Sequence, residues 1–347
     1  MLFNDEDVPL FIDPEPLRSE PQGFAPEQMV RCDNCLRANP PTRTSCLYCA
    51  APLPATEANA ALQKPTLRKL EKWEQGFNVI LVPGNAQDRT VETLQGMAQL
   101  LRLSVEDVKR LVEAGQPLPV ARASTLDEAR LIERKLDEMS VRAFAVADLD
   151  LGLEESATKR ARALELTEDA LIISPAGGGD ASRVSWNEIV LLVAGRFFMR
   201  EIEVEERRGR KAEQEIVDAR ELSADEAVLD IYTAQGNDAW RIRACNFDFS
   251  CLGSRKNLVA AQNFSTLIEL LRGRATEALY DDSYNRARHA LAAAWPLEQQ
   301  TESRGWNRKR PGQVSTESVT KSDNELQFTR YSRLRRFLLL HPLDLNV

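Results

Sequence analysis

The spacing of apolar side chains changes period along this chain, and each change predicts a different element. From Phe77 the run FNVILV is apolar and β-branched, the composition of a buried strand. VETLQGMAQLLRL follows, with Val91, Leu94, Ala98 and Leu101 at helical spacing. Ser104, with Asp107 three residues on, predicts the capped start of a second helix, VEDVKRLVEAG, which Gly115 ends. Ser124 or Thr125 caps a third, LDEARLIERKLDEM, and VRAFAVAD reads as a closing strand. The order strand, helix, helix, helix, strand predicts a small α/β sandwich over 76–148.

After a linker at 149–160 the pattern over 161–275 becomes mainly β. ARALELTEDALIIS pairs two short strands around a Thr-Glu-Asp turn, and PAGGGD is a loop. RVSWNEIVLLVAGRFF reads as a strand and turn. AVLDIYTA and AWRIRACNFDFS flank Gln235-Gly236-Asn237-Asp238, a hairpin turn. Trp240, Ile242 and Ala244 alternate with Arg241, Arg243 and Cys245, as in a half-buried strand; Trp186 and Trp240 are candidate core residues. Phe264, Leu267, Ile268 and Leu271 mark one face of an amphipathic helix that closes the region. The highly charged insertion 199–222 is expected to protrude.

The ends read differently. Residues 1–28 are rich in Pro, Asp and Glu and are expected to be disordered. Residues 54–75 read as a linker ending in a short polar helix. Residues 276–347 read as a basic, largely disordered tail, with 281–325 as linker and a candidate terminal helix over 326–340. In that helix Phe328, Tyr331, Leu334 and Leu338 share one face, and Arg330, Arg333 and Arg336 another.

Charge sharpens this picture. The 347 residues carry a formal net charge of −8, which argues against a general nucleic-acid coat. Residues 1–28 hold seven acidic side chains and one basic; residues 300–336 hold nine basic and four acidic. The basic tail, with Tyr331 and Phe337, has two readings: contact with RNA or an anionic membrane surface, or a helix docking its apolar face on the protein's own body. No apolar run approaches the roughly 20 residues of a membrane span, and the acidic start lacks the features of a secretion signal. Six cysteines, four in metal-ligand spacing, suit a reducing interior, so the expected location is cytoplasmic.

Those four are Cys32, Cys35, Cys46 and Cys49, in RCDNCLRANPPTRTSCLYC. Two C-x-x-C pairs with ten residues between them have ligand spacing for one tetrahedral zinc, and four thiolates leave no open position for catalysis. A segment of this size cannot bury enough apolar surface to fold alone, so the metal would supply the folding energy. The alternative is free thiols in a loop. Cys245 and Cys251 read as small buried residues of the β region. Gly177-Gly178-Gly179 has no Lys-Ser or Lys-Thr helix after it and reads as a hairpin loop rather than a phosphate cradle. With only His289 and His341 in the chain, no catalytic constellation is legible.

Several stretches resemble known families. LSVEDVKRLVE and STLDEARLIERKLDEMSVRAFAV resemble the C-terminal domain of the bacterial ribosomal stalk protein over about 70 residues. The resemblance implies that family's α/β fold. The family contacts translation factors through basic residues on its first two helices; the matching positions here are Gln95, Ala98 and Glu106, none of them basic, so that role is not expected. The cysteine segment, with Asn39-Pro40-Pro41 after its first knuckle and Ala50-Ala51-Pro52-Leu53 after its second, resembles the short zinc ribbons of prokaryotic proteins. It departs from them at Leu36 and Ala50, where the family has a knuckle glycine, so strained geometry is expected there. The spacing also fits Ran-binding-protein-type zinc fingers, but Val30 stands at their Trp, Leu36-Arg37 at their ubiquitin-binding Thr-Phe pair, and their RNA-stacking aromatic is missing. VSWNEIVLLV and the strands-then-helix order resemble a pleckstrin-homology-like barrel.

The expected fold is therefore multidomain α+β: a zinc ribbon at 29–53 holding one structural Zn2+, an α/β sandwich, and a PH-like β-barrel with a C-terminal helix, between disordered ends. The expected function is that of a non-enzymatic interaction protein with protein partners. A nucleic-acid- or ribosome-associated factor using the ribbon and basic tail, and an enzyme with an unread site, are the alternatives.

Overall fold

The computed structural model describes residues 23–342 apart from 55, 57, 58, 60, 61, 72, 85–89, 154–157, 209–213, 237, 238, 311 and 312; of 206–218 and 304–317 only the backbone is described. The acidic N-terminus up to residue 22, and Asn237-Asp238 of the expected hairpin turn, lie outside these residues. The chain divides into two compact units between Lys64 and Pro65.

In the first unit β1 (Val30–Arg31) pairs antiparallel with β2 (Ala38–Asn39). A single bridge joins Ser45 to Pro52. The two small hairpins each wrap one cysteine pair. Between them only Val30, Cys32, Cys46 and Leu53 are buried as a core, far less than a stable unit needs.

The second unit begins with the α/β region. β3 (Phe77–Leu81) is followed by α1 (Val91–Leu101), α2 (Val105–Glu113), β4 (Leu118–Ala123), α3 (Leu126–Asp137) and β5 (Ala143–Ala147). β3 is central, antiparallel to both β4 and β5. The caps sit where the sequence put them. Ser104 accepts from the Asp107 amide and Thr125 from the Glu128 amide, while Gly115, at φ 61°, follows the end of α2. β4 corrects the expected order. Pro117, just before it, and Pro119, within it, argue against a strand, but β4 lies at the sheet edge, where a missing N–H is tolerated, and Pro119 sits beside a register shift. The polar helix expected at the end of 54–75 is also absent: residues 63–71 and 73–76 carry no helix. Buried Glu128 holds that stretch instead, accepting from the amides of Thr66 and Leu67 at 2.6 and 2.7 Å.

The β region supplies β6 (Lys159–Leu166), β7 (Ala170–Pro175), β8 (Ser182–Ser185), β9 (Ile189–Arg208), β10 (Gln214–Thr233) and β11 (Ala239–Arg243), then α4 (Ala260–Arg274). Beyond it come β12 (Leu279–Asp281), α5 (Tyr284–Leu291), β13 (Glu298–Arg310), β14 (Gln313–Asp323) and α6 (Glu325–Leu340). These strands form one sheet in the order β13-β14-β9-β10-β11-β6-β7-β8, with β12 parallel to β9. The charged insertion is the far part of the β9–β10 hairpin, whose two strands are 20 residues each and onto which β14 adds. Arg196–Asp225 and Arg200–Glu221 pair across it.

Side chains alternate along β9, and both faces are buried. Leu192 and Ala194 enter a core with Trp186, Trp240, Phe264, Leu267 and Leu271. Leu191, Val193 and Phe197 enter a second core, which continues without a break into the α/β region through Tyr284, Trp295, Phe328, Tyr331 and Leu334. Gly195 lets α6 approach: a Cβ there would lie 2.5 Å from Phe328 Cε2 and 2.9 Å from Tyr284 Cδ1.

Three expectations fail here for one reason. Residues 281–325, read as linker or disordered, carry α5, β13 and β14. Fully buried Trp295 donates from Nε1 to Asn78 Oδ1 at 2.8 Å, across 217 residues, and Gln327 donates to the Trp295 carbonyl at 2.7 Å. The terminal helix exists, but Arg330, Arg333 and Arg336 are buried along with its apolar face. Arg241, expected on a solvent face, is buried too, in a two-point pair with Asp230 at 2.7 and 2.8 Å. Ser332 of α6 completes that pair by donating to Asp230 Oδ2, and the Phe197 and Phe328 rings flank the guanidinium. Tertiary partners, invisible to local patterning, turn polar positions inward. Among the described residues no helix is long and apolar enough to cross a membrane.

Candidate metal centre

The two cysteine pairs sit in equivalent knuckles. Cys32 N donates to Arg37 O and Leu36 N to Cys32 O; fourteen residues on, Cys46 N donates to Ala51 O and Ala50 N to Cys46 O. Each knuckle closes through a left-handed residue. Leu36 has φ 60° and Ala50 φ 58°, the positions where a glycine was expected. Each costs about 1–2 kcal/mol relative to a right-handed residue, so something must hold the turns closed.

The sulfurs answer that. All four Sγ atoms lie within 4.8 Å of one another. Cys32 and Cys49 are 3.6 Å apart and Cys35 and Cys46 3.5 Å. A disulfide would need about 2.0 Å, whereas a tetrahedron of sulfurs at 2.3 Å from one ion has edges of about 3.8 Å. The set fits one tetrahedral ion.

Its surroundings favour thiolates. Asn39, fully buried, accepts from the Leu47 amide at 2.8 Å through Oδ1 and donates through Nδ2 to Arg37 O at 2.9 Å and Cys46 Sγ at 3.4 Å. It ties one knuckle to the other. Burial opposes charge on Cys46, but donation from the Tyr48 and Cys49 amides and from Asn39 outweighs it and brings the thiol down to about 6. The Ala51 amide likewise lowers Cys49. The Arg37 amide favours the Cys35 thiolate, yet burial and the three neighbouring sulfurs push that thiol up to about 12. Four sulfurs this close hold four negative charges only around a cation.

The four expected ligands thus come together. Asn39 was visible in the sequence as part of Asn-Pro-Pro, but its bridging role was not. Cys245 and Cys251 are not the two buried residues expected: Cys245, just past the end of β11, is exposed and Cys251 is half-buried, and partial burial raises both thiols. The triple glycine forms the turn between β7 and β8, with Gly178 and Gly179 at φ 79° and 112°.

The chain is 35% identical over 89 residues, 26% of its length, to the large ribosomal subunit protein bL12 of Rhodospirillum rubrum. The match covers 66% of that protein, slightly under two thirds. No family model matches the chain, and no solved structure matches it.

Proposed function

We propose that residues 29–53 hold one structural zinc and that the chain is a non-enzymatic interaction protein. The observation that carries this is the closed four-sulfur set, which leaves no coordination position for a substrate. The ribbon also presents apolar side chains outward. Leu36, Leu47 and Tyr48 are exposed, and the Arg37 guanidinium lies over the Tyr48 ring at 4.6 Å. An aromatic and an arginine among exposed leucines are the side chains that anchor protein interfaces. In this reading the sheet and α4 form a pleckstrin-homology-like body, supported by the strands β6–β11, antiparallel except where β11 meets β6, and by the helix that closes their core.

The similarity to bL12 favours a second reading, association with ribosomes or nucleic acid. Recruitment of translation factors through the first two helices has less support. Gln95 and Glu106 are exposed but not basic, Ala98 is buried, and α2 packs on α5 of this chain. Nor does α6 offer a basic face, because Arg330, Arg333 and Arg336 point into the protein.

Affinity capture with the full chain, with and without ribonuclease, tests the two. Protein partners that survive ribonuclease and are lost with Leu36→Ser plus Tyr48→Ser support the interaction reading. Partners lost on ribonuclease treatment, with binding that falls steeply with salt, support the nucleic-acid reading instead.

A further inference from the structure

A cavity of about 600 Å³ lies within the second unit. Its walls come from residues 67–71, the end of α1, the edge strand β4, the segment that leads into β13, and α6. Leu67, Leu101, Val120, Ala293, Pro296 and Leu326 make much of its lining apolar. The charged side chains in it are uneven in sign: Arg68, Lys69, Arg102, Arg122 and Arg330 against Glu71 and Glu298. The volume is in the range of small-molecule sites, which combine apolar walls with a few polar groups.

Arg330 sets this cavity apart from a packing defect. It is only 6% exposed, yet its Nε has no hydrogen-bond partner and the described residues give its guanidinium no ion pair. The nearby carboxylate of Asp148 is already engaged, by the Gly76 amide and Asn78 Nδ2 at 2.9 and 2.8 Å and by Arg122. Arg122, held by Asp148 and the Glu74 carbonyl, likewise leaves its Nε buried without a partner. Burial and the like charge of Arg122 act against the charged form of Arg330 and bring it down to about 10, despite Asp148 and Glu298. A buried guanidinium with donors to spare is costly unless an anion meets it.

We propose that this cavity binds a small molecule in which a carboxylate or phosphate is joined to an apolar body. The oxyanion takes the free donors of Arg330, a geometry guanidinium matches with two parallel bonds. The apolar part lies against Leu67, Val120 and Ala293, and Lys69 and Arg102 at the rim draw the anion in.

Calorimetric titration of the full chain with phenyl phosphate, benzoate, inorganic phosphate and benzyl alcohol tests this. The expected result is saturable binding of phenyl phosphate, benzoate or both, with the stronger identifying the head group. Inorganic phosphate, lacking the apolar body, binds at least tenfold more weakly, and benzyl alcohol does not bind. Arg330→Met weakens the anion at least tenfold while its melting temperature equals or exceeds that of the parent, because a buried unpaired charge is removed. Ala293→Phe, which narrows the cavity and keeps Arg330, also weakens binding at least tenfold and covers the case in which the first variant does not fold. The proposal is overturned by no saturable binding of either aryl anion, by equal binding of benzyl alcohol, or by unchanged affinity in a folded variant of either kind.

Discussion

The ribbon and the body beyond Pro65 solve the same problem by different means. The ribbon gathers two chain segments around four sulfur atoms, and its apolar core is four residues. The body gathers segments as distant as those of Asn78 and Trp295, 217 residues apart, and further, around two large apolar cores that share β9 and β10. With the proposed zinc bound, one draws its folding free energy from the ion, the other from area removed from water. The contrast shows why strained backbone is tolerated at Leu36 and Ala50: a metal bond outweighs a penalty of about 1–2 kcal/mol several times over.

The sharpest way to break this contrast is to remove the ion. Cys32→Ser with Cys49→Ser should take zinc from one per chain to none by elemental analysis. It should open 29–53 to trypsin at Arg37 and Arg43, with on the order of 10 kcal/mol of binding free energy lost. The main unfolding transition of the body should stay where it was; unchanged metal content would refute the assignment.

Next in size are the tryptophans of the body. Trp295→Ala should cost about 3–5 kcal/mol in denaturant melts, because it empties a fully buried site and strands Asn78 Oδ1. Trp186→Ala and Trp240→Ala, at the margin of the other core with 9% and 8% exposure, should fall at the lower end of that range. A loss below about 1 kcal/mol at Trp295 would mean that the α/β and β regions of the body do not share a core.

Gly195→Ala is a smaller perturbation of the same contact. Its new methyl group would meet Phe328 and Tyr284 inside van der Waals distance. About 1–3 kcal/mol is the expected loss, and a neutral result would show α6 free to move away from β9. The least effect, and the one of opposite sign, belongs to the ribbon. Leu36→Gly or Ala50→Gly should tighten zinc by a few fold, up to about 1 kcal/mol after the added freedom of the unfolded chain is counted. Competition with a chelator reads this directly, and weaker binding would show that the left-handed turns are not strained.

The same contrast explains what was legible in the sequence. The ligand set is encoded within eighteen residues, so spacing alone reveals it. The helices α2 and α3 announce themselves through local caps at Ser104 and Thr125, and α1 through its apolar spacing. β4 was hidden because Pro117 and Pro119 argue against a strand unless its edge position is known. α5 and Trp295 were hidden because their partners are remote: the apolar run ALAAAWPL shows that something is buried there, but not what it packs against until Asn78 is placed beside Trp295. β14 was hidden for the same reason, since it adds onto the distant β9. The arginines of α6 misled for the same reason, since Arg241 with Asp230 and Ser332 shows how polar side chains are matched inside, not whether they will be. The unsatisfied Arg330 has no sequence signature at all.

The bond between Trp295 and Asn78 also has a consequence in time. During synthesis Asn78 leaves the ribosome 217 residues before its partner. At 5–20 residues per second that is roughly 10–40 s, far longer than a small α/β segment takes to collapse. Throughout that interval the nascent chain exposes the face that Trp295, Tyr331 and Leu334 will later cover. Its exposure to chaperones and to aggregation is therefore set by translation speed between β5 and α6, so slow codons in that stretch lengthen the hazard.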